Sequence, residues 1–254
     1  MASEPSSEGF GFRGQARGRP FETFEGAERS ASLPSPARTR ISDLVYEELS
    51  EAIRSLRLPP GAPLSEPAVA AWLEVSRAPV REAFTRLADQ KLITIAPQVG
   101  SRVAPISMSG VEDAVFIRNA LEKSAFEQAI TFDDLDTTEL HSLVDRNREA
   151  AMRGDAEDFF ESDEQLHQLV FALAGVPRMW QVVRGTKVQL DRLRRLNLSG
   201  ALTNAEVLDE HQGIVDALDA RDAIAGARMI HRHSHRILTD TTKLREEYPD
   251  FFVA

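Results

Sequence analysis

The first regular pattern along the chain is a set of apolar residues at helical spacing between Ile41 and Ile53. Pro59 lies just beyond this set, and proline cannot continue a helix. Two further helical patterns begin directly after Ser65 and Ser76, and serine favours the capping position at the start of a helix. The pattern therefore predicts three short helices in succession.

Two short runs of strand-favouring residues follow these helices, Leu92–Ile95 and Ser101–Ala104. The residues between them, Pro97–Gly100, have the composition of a hairpin turn. Three helices followed by a hairpin are typical of a winged helix-turn-helix, a fold that binds DNA. We therefore predict a winged helix-turn-helix DNA-binding domain at residues 39–105.

The remainder of the chain has a helical pattern. Within residues 109–245, no alternation of period two indicates a strand. Turn-forming residues interrupt the pattern at five places, near residues 131–133, 154, 175–177, 199–200 and 219–222. The sequence thus predicts a second domain of six helices. The predicted fold class is mainly α, with an N-terminal winged helix-turn-helix and an all-α helical bundle.

Composition excludes several classes of protein. The chain has no cysteine, which excludes disulfide scaffolds, cysteine-based zinc fingers and thiol catalysis. No apolar run reaches the roughly 18–20 residues of a membrane span, and the N-terminus lacks the apolar core of a secretory signal. We therefore expect a cytoplasmic protein with no membrane partner.

Residues 1–38 differ in composition from both predicted domains. They are rich in serine, glycine, proline, arginine and glutamate without any helical or strand period, so we predict a disordered tail. Within this tail, Gly9–Gly14 matches the pattern G-x-G-x-x-G of a dinucleotide-binding loop. Such a loop needs a strand before it and a helix after it. The sequence predicts neither, and we interpret the match as chance.

The net charge of −10 is unevenly distributed along the chain. Residues 39–105 contain eight basic and eight acidic side chains, so this segment has no net charge. Residues 106–254 carry the whole net charge and all six histidines. The acidic balance of the chain therefore does not argue against DNA binding by the first domain.

Basic residues mark a candidate DNA-binding surface on the third helix and the hairpin. Arg77 and Arg81 are four residues apart, on the face opposite the apolar stripe, and the helix begins after Ser76. Arginine on a recognition helix can pair with guanine in the major groove, which is worth about 1–3 kcal/mol of discrimination. Arg102 and Gly100 on the hairpin can approach the minor groove or the DNA backbone. The alternative is that these arginines only solvate a surface helix.

This first domain resembles the DNA-binding domain of GntR-family transcription regulators. The residues that carry the resemblance are Pro60-Gly61-x-x-Leu64-Ser65-Glu66 and Val75-Ser76-Arg77-Ala78-Pro79-Val80-Arg81-Glu82-Ala83. The resemblance implies that Arg77, Arg81 and Gly100 contact double-stranded operator DNA. The chain departs from the family at Pro67, where a polar or basic residue is common, and at Ala78, where threonine is usual.

Four predicted helices of the second domain carry polar residues inside an otherwise apolar stripe. These residues are Arg118, then Asp163 and His167 on one helix, and His211 and His233. Three imidazoles and one carboxylate form a normal ligand set for Zn²⁺, Ni²⁺, Mn²⁺ or Fe²⁺. We predict a divalent metal, zinc in the first place, bound by the aspartate and the three histidines. The alternative is a set of separate core histidines that bond to the backbone.

The same residues resemble the FCD domain of the FadR branch of GntR regulators, in its VanR-like variant of six helices. The resemblance is carried by Ile117-Arg118-x-x-Leu121-Glu122, Asp163-x-x-x-His167, Glu210-His211-x-x-Ile214 and His233. It implies a bound divalent metal. Water or an organic acid would complete the coordination shell of this metal. We expect a homodimeric, metabolite-responsive repressor with a small carboxylate effector that pairs with Arg118. The alternatives are a constitutive DNA-binding protein with a purely structural metal and a metal-dependent hydrolytic enzyme.

Overall fold

The computed structural model describes residues 40–96 and 100–253. The described residues form two compact units, and the division between them falls between Pro105 and Ile106. The predicted tail with its glycine pattern, and residues 97–99 of the predicted hairpin turn, lie outside the described residues.

The first unit is a winged helix-turn-helix, as the sequence predicts. Its elements are α1 (Ile41–Arg54), β1 (Pro63–Leu64), α2 (Glu66–Leu73), α3 (Arg77–Asp89), β2 (Ile93–Ala96) and β3 (Gly100–Val103). The three strands are antiparallel, and β3 lies between β1 and β2. The sequence analysis missed β1, because two residues are too short for a period-two pattern. The apolar stripes of α1 and α3 pack against each other and form the core of this unit.

Local signals in the sequence set the ends of the second and third helices. Ser65 Oγ accepts a hydrogen bond from the backbone N–H of Ala68 at 3.2 Å, so it caps α2 as predicted. Ser76 occupies the corresponding position of α3, but its side chain forms no capping hydrogen bond with a described residue. Between the two helices Glu74 adopts a left-handed conformation with φ 58°, which turns the chain sharply from α2 into α3.

The second unit is all-helical, but the predicted number of six helices is wrong. The described part contains nine α-helices: α4 (Met108–Ala129), α5 (Thr138–Arg153), α6 (Ala156–Leu173), α7 (Arg178–Thr186), α8 (Val188–Leu196), α9 (Leu198–Thr203), α10 (Ala205–Asp219), α11 (Ala223–Arg236) and α12 (Thr241–Glu247). Short 3₁₀ segments flank α12, Ile237–Asp240 and Pro249–Phe251. Across residues 40–96 and 100–253, no helix is both long and apolar enough to cross a membrane.

Most of the additional helices come from one stretch that the pattern predicted as a single helix. This stretch breaks at Lys187, whose buried ammonium group lies 2.6 Å from Glu164 Oε2 and 2.7 Å from Asp191 Oδ1. It breaks again at Asn197, so that the predicted interruption near residues 199–200 falls inside α9. The sequence around Lys187 has no proline, and the ion pair with Glu164 joins the break to α6.

Helix α11 packs closely on α4 because it has a glycine at the contact. A Cβ atom added to Gly226 would lie 2.1 Å from Cζ of Phe126, and that ring is fully buried in the main core of the unit. Only a glycine therefore allows the two helices to approach this closely.

We predict that Gly226→Ala destabilises the protein by about 1–3 kcal/mol, because the new methyl group overlaps a ring that has no room to move. The matched control is Gly185→Ala on α7, where an added Cβ meets no described atom within 4 Å. That variant should be neutral or slightly stabilising, since alanine favours a helix over glycine by about 1 kcal/mol. Urea unfolding of both variants measures the difference, and equal unfolding free energies would contradict the prediction.

Candidate metal centre and nucleic-acid interface

The five residues predicted to contact DNA are all exposed on the winged helix. Ser76 and Arg77 are at the start of α3, Arg81 is one turn further, and Gly100 and Arg102 are on β3. Gly100 has φ 103°, a conformation that side chains rarely adopt and that glycine tolerates.

One carboxylate, which the sequence analysis missed, orients an arginine of the recognition helix. Glu66, the first residue of α2, lies 3.2 Å from Nη2 of Arg81, and the arginine remains 71% exposed. A single exposed pair contributes little to stability, so its main effect is on the direction of the guanidinium group. The guanidinium group of Arg102 also has a fixed direction, because its Nη1 donates to the carbonyl oxygen of Gly61 at 3.0 Å.

The four predicted metal ligands come together in the interior of the second unit. Asp163 and His167 are one turn apart on α6, His211 is on α10 and His233 is on α11. One ligand atom of each lies within 4.8 Å of the other three. The carboxylate and the rings are almost fully buried, and His233 has the most exposed side chain at 7%.

The spacing of the inner atoms fits a single small cation. Nε2 of His167 and Nε2 of His233 are 3.1 Å apart, and Nε2 of His211 lies 3.1 Å from Oδ1 of Asp163. Ligand atoms that bind one zinc ion at about 2.0–2.1 Å are separated from each other by about 3–3.4 Å. These two separations therefore agree with neighbouring ligands of one ion, and no two of the four ligand atoms are more than 4.8 Å apart.

Asn147 of α5 determines which nitrogen of His211 carries the proton. Its amide nitrogen donates to the carbonyl oxygen of Phe159 at 2.8 Å and to Ser162 Oγ at 2.9 Å, which turns its oxygen towards His211. That oxygen accepts from Nδ1 of His211 at 3.1 Å, so the lone pair of the neutral ring is on Nε2. Nε2 of His211 faces an oxygen of Asp163 at 3.1 Å, so a proton or a metal cation between these two atoms is favourable.

Carboxylates face the outer nitrogens of the other two rings, although Nδ1 of His233 forms no hydrogen bond with a described residue. Glu122 Oε2 is 3.2 Å from Nδ1 of His167, and Glu210 Oε2 is 3.5 Å from Nδ1 of His233. Each carboxylate favours a proton on the nitrogen that faces it, which leaves the lone pair on Nε2. Three imidazole lone pairs and one carboxylate oxygen thus point into a common volume, and this donor set is the one that a divalent metal requires.

The surrounding charges keep these groups in the protonation states that bind a metal. Burial and the positive charge of Arg118 lower the pKa of His167, against the opposing effect of Glu122. Burial also lowers the pKa of His233 to about 3. Burial raises the pKa of Asp163, but Arg194 and the neighbouring histidines outweigh it and hold this pKa well below its usual range. Histidine binds a metal as a neutral imidazole, and aspartate binds it as an ionised carboxylate.

Two arginines lie beside the cluster and line the cavity that opens next to it. Arg118, the residue predicted to pair with an effector, donates from Nε to Glu122 Oε1 at 2.7 Å, and its Nη2 lies 3.4 Å from Nε2 of His233. Arg194 of α8 binds the outer oxygen of Asp163. The sequence analysis missed Arg194, because α8 carries several charged residues and no single one of them interrupts an apolar stripe.

The two units together define a DNA-binding transcription regulator with a helical domain that contains a candidate ligand site. Residues 41–103 match the family described as bacterial regulatory proteins, gntR family, and residues 113–236 match the FCD domain. The chain belongs to the GntR family of bacterial regulatory proteins, and its helical unit is an FCD domain.

Curated relatives belong to the same class. The chain is 34% identical over 213 residues to the HTH-type transcriptional repressor RspR of Escherichia coli (strain K12), which covers 84% of this chain and 93% of the relative. It is 29% identical over 196 residues to the probable D-xylose utilization operon transcriptional repressor of Paenarthrobacter nicotinovorans, covering 77% and 86% of the two chains. The chain is therefore a transcription regulator and not a metal-dependent hydrolytic enzyme.

Two solved structures have the same fold. Escherichia coli McbR/YncC matches with a TM-score of 0.65 and 20% identity, over 83% of this chain and 99% of that one. A transcriptional regulator GntR from Rhodococcus sp. RHA1 matches with a TM-score of 0.63 and 23% identity, over 78% and 97%. At these identities the likeness concerns the fold alone.

We predict that the metal-free protein loses stability as the pH falls from 7 to 5. The pKa values of His167 and His233 are lower in the fold than the ordinary value of 6.5, so the unfolded chain binds protons that the folded chain does not. The stabilisation is complete above about pH 6.5 and decreases below it, by up to about 1.4 kcal/mol per pH unit for each histidine.

Urea unfolding of chelator-treated protein at several pH values measures this dependence. His235→Ala, which removes a histidine of the same helix that does not belong to the cluster and whose charge lowers the pKa of His231, should keep most of the slope. An unfolding free energy that is constant or increases between pH 7 and pH 5 would be inconsistent with buried neutral rings.

Proposed function

We propose that this protein is a homodimeric repressor whose helical unit binds a divalent metal together with a small carboxylate, and that the carboxylate alters operator binding. The observation that carries the proposal is the convergence of one nitrogen from each of three buried imidazoles and one carboxylate oxygen, which all lie within 4.8 Å of one another. Such an arrangement is costly to bury unless a cation neutralises it.

Asp163, His167, His211 and His233 would hold the metal, with zinc as the first choice for this ligand set. A metal at this position supplies open coordination sites for the oxygens of a carboxylate. Arg118 and Arg194 line the adjacent cavity, and their guanidinium groups favour a negatively charged ligand there. Glu122, Asn147 and Glu210 orient the rings from behind, in the manner typical of metal-binding histidines.

An effector can alter repression only if its binding to the helical unit changes how the DNA-binding unit binds the operator. We propose a homodimer as the connecting element, because a dimer presents two recognition helices whose spacing an effector can change. Three large apolar side chains are exposed on α4 and α7, which pack together: Phe116 at 73%, Met179 at 39% and Val182 at 48%. We propose that a second copy of the chain covers these exposed side chains.

We predict that Zn²⁺ raises the unfolding temperature of the metal-free protein and that His211→Ala abolishes this effect. Asn147→Leu removes the acceptor behind His211 and should weaken Zn²⁺ binding by about 10- to 100-fold. Competition with a chelator measures this affinity independently of any change in stability. His231→Ala, on the same helix as His233 but outside the cluster, should bind Zn²⁺ like the wild type.

In the Zn²⁺-loaded protein, small carboxylates should raise the unfolding temperature further, since they bind the folded state only. If Zn²⁺ stabilises the wild type and His211→Ala equally, the proposed metal site is wrong. If Zn²⁺ binds but no carboxylate adds stability or changes operator affinity, the metal is purely structural and the sensor function is refuted.

We predict that Arg81→Ala weakens binding to a DNA duplex selected from a random library by about 1–3 kcal/mol and relaxes the sequence preference at one base pair. Glu66→Gln should relax the same position, because it weakens the ion pair that orients Arg81. Fluorescence anisotropy measures both effects, and the stoichiometry should be two chains per duplex.

The control is Arg153→Ala, which removes an exposed arginine of the helical unit and so changes the net charge by the same amount. It should leave the affinity for the selected duplex unchanged. An unchanged sequence preference in Arg81→Ala would show that α3 is not the recognition helix.

A further inference from the structure

Residues 237–253, which follow α11, bond to the residue at which the helical unit begins. The backbone N–H of Ile106 donates to the carbonyl oxygen of Phe251 at 2.7 Å, and the N–H of Val253 donates to the carbonyl oxygen of Ile106 at 3.2 Å. These two bonds form a parallel bridge between Ile106 and Phe252, whose side chains are both buried. We call residues 237–253 the C-terminal strap.

The residue that the C-terminal strap holds is close to the winged helix-turn-helix along the chain. The N–H of Ala104 donates to the carbonyl oxygen of Leu92 in the first unit at 2.9 Å, and Pro105 is the single residue between Ala104 and Ile106. Proline has a fixed φ angle, which leaves this junction little freedom. The position of Ile106 therefore constrains the path of the chain between the two units.

The other end of the C-terminal strap begins near the candidate metal centre. His233, one of the four predicted ligands, is in the last turn of α11, and the 3₁₀ segment that opens the strap follows α11 directly. Asp240 of the strap accepts a hydrogen bond from Nδ2 of Asn197 at 2.7 Å, and both residues line the cavity beside the cluster. The strap thus connects the surroundings of the metal centre to Ile106.

Metal binding would restrict the motion of the helix from which the C-terminal strap continues. Through a shared metal, His233 on α11 would be tied to Asp163 and His167 on α6. The hydrogen bond between Asn197 and Asp240 holds the beginning of the strap to the end of α8. A packed segment that is held at both ends can pass such a restriction from one end to the other.

We infer that the C-terminal strap couples the occupancy of the metal centre to the DNA-binding unit, by fixing Ile106 when the centre is occupied. This inference rests on the proposed function, which supplies the metal. An ordered junction has less freedom to lose when the first unit binds DNA, so the metal should raise the affinity for the operator. Because coupling between two sites is reciprocal, operator DNA should raise the affinity for the metal by the same factor.

Helix α8 provides a second connection to the junction, and this connection is the weaker one. Oε1 of Gln189 accepts from the backbone N–H of Ser107 at 3.3 Å. The same oxygen also accepts from Nη1 of Arg192 at 3.0 Å, so it is shared between two donors. The strap binds Ile106 through both of its backbone groups. We therefore expect Gln189→Ala to retain the coupling.

The experiment measures the affinity of the full chain, with and without Zn²⁺, for a duplex selected from a random library with the Zn²⁺-loaded protein. We expect Zn²⁺ to raise the affinity of the wild type by about 5- to 150-fold, the usual range for two coupled sites. Phe252→Ala removes the buried ring of the bridge and should reduce this factor to below about 2-fold. Competition with a chelator should give this variant the Zn²⁺ affinity of the wild type, since Phe252 does not belong to the cluster.

Further variants separate a loss of coupling from a loss of structure. Asn197→Ala removes the bond to Asp240 at the opposite end of the strap and should also lower the factor. Val253→Ala is the matched control, because it shortens an exposed side chain and keeps the backbone N–H that binds Ile106. It should retain the wild-type factor. Zn²⁺ should also slow hydrogen exchange of the Ile106 amide in the wild type but not in Phe252→Ala.

The outcomes separate the inference from the proposed function. If Zn²⁺ binds at the cluster but leaves the operator affinity of the wild type unchanged or lowers it, the inference is refuted while the metal site stands. The inference is also refuted if Phe252→Ala retains the wild-type factor, and loss of the factor in Gln189→Ala alone would assign the coupling to α8. If chelator competition detects no Zn²⁺ binding to the wild type, the proposed function fails, and with it the inference.

Discussion

The helical unit depends on one physical constraint, which is the burial of three imidazoles and a carboxylate in the middle of four packed helices. Neutral rings and an ionised carboxylate can be buried together only if each polar atom has a partner. The outer nitrogens face Glu122, Asn147 and Glu210, and the inner nitrogens face one another and Asp163. Nδ1 of His211 thus has a hydrogen-bond partner and the other two outer nitrogens face carboxylates, and the metal that we propose would bind the inner atoms.

The same constraint explains features at a distance from the cluster. Arg194 offsets the charge of Asp163 and also binds Glu164 at 2.8 Å, and Glu164 in turn pairs with the buried Lys187. This ion-pair chain links α6 to the junction between α7 and α8. Charges buried at such a depth contribute little net stability, but a missing partner is costly, so the network fixes one arrangement of these helices.

Sequence patterns predict a feature well when the information is local. The four ligands interrupt apolar stripes on their own helices, and both the winged helix and the start of α2 after Ser65 follow from spacing and capping. Partners from other helices leave no such signal. Asn147 lies on α5 and acts on His211 of α10, and only the folded packing brings them together. The break at Lys187 also has a partner from a distant helix beside it, since Lys187 pairs with Glu164 of α6.

The central claim is that the four buried side chains bind one divalent metal through the inner nitrogen of each ring. A crystal structure of the Zn²⁺-loaded protein, with anomalous diffraction recorded at the zinc edge, tests this claim most directly. We expect one anomalous peak per chain, at bonding distance from Nε2 of His167, His211 and His233 and from an oxygen of Asp163. Zinc located elsewhere, or a direct hydrogen bond between His167 and His233 with no peak between them, would contradict it.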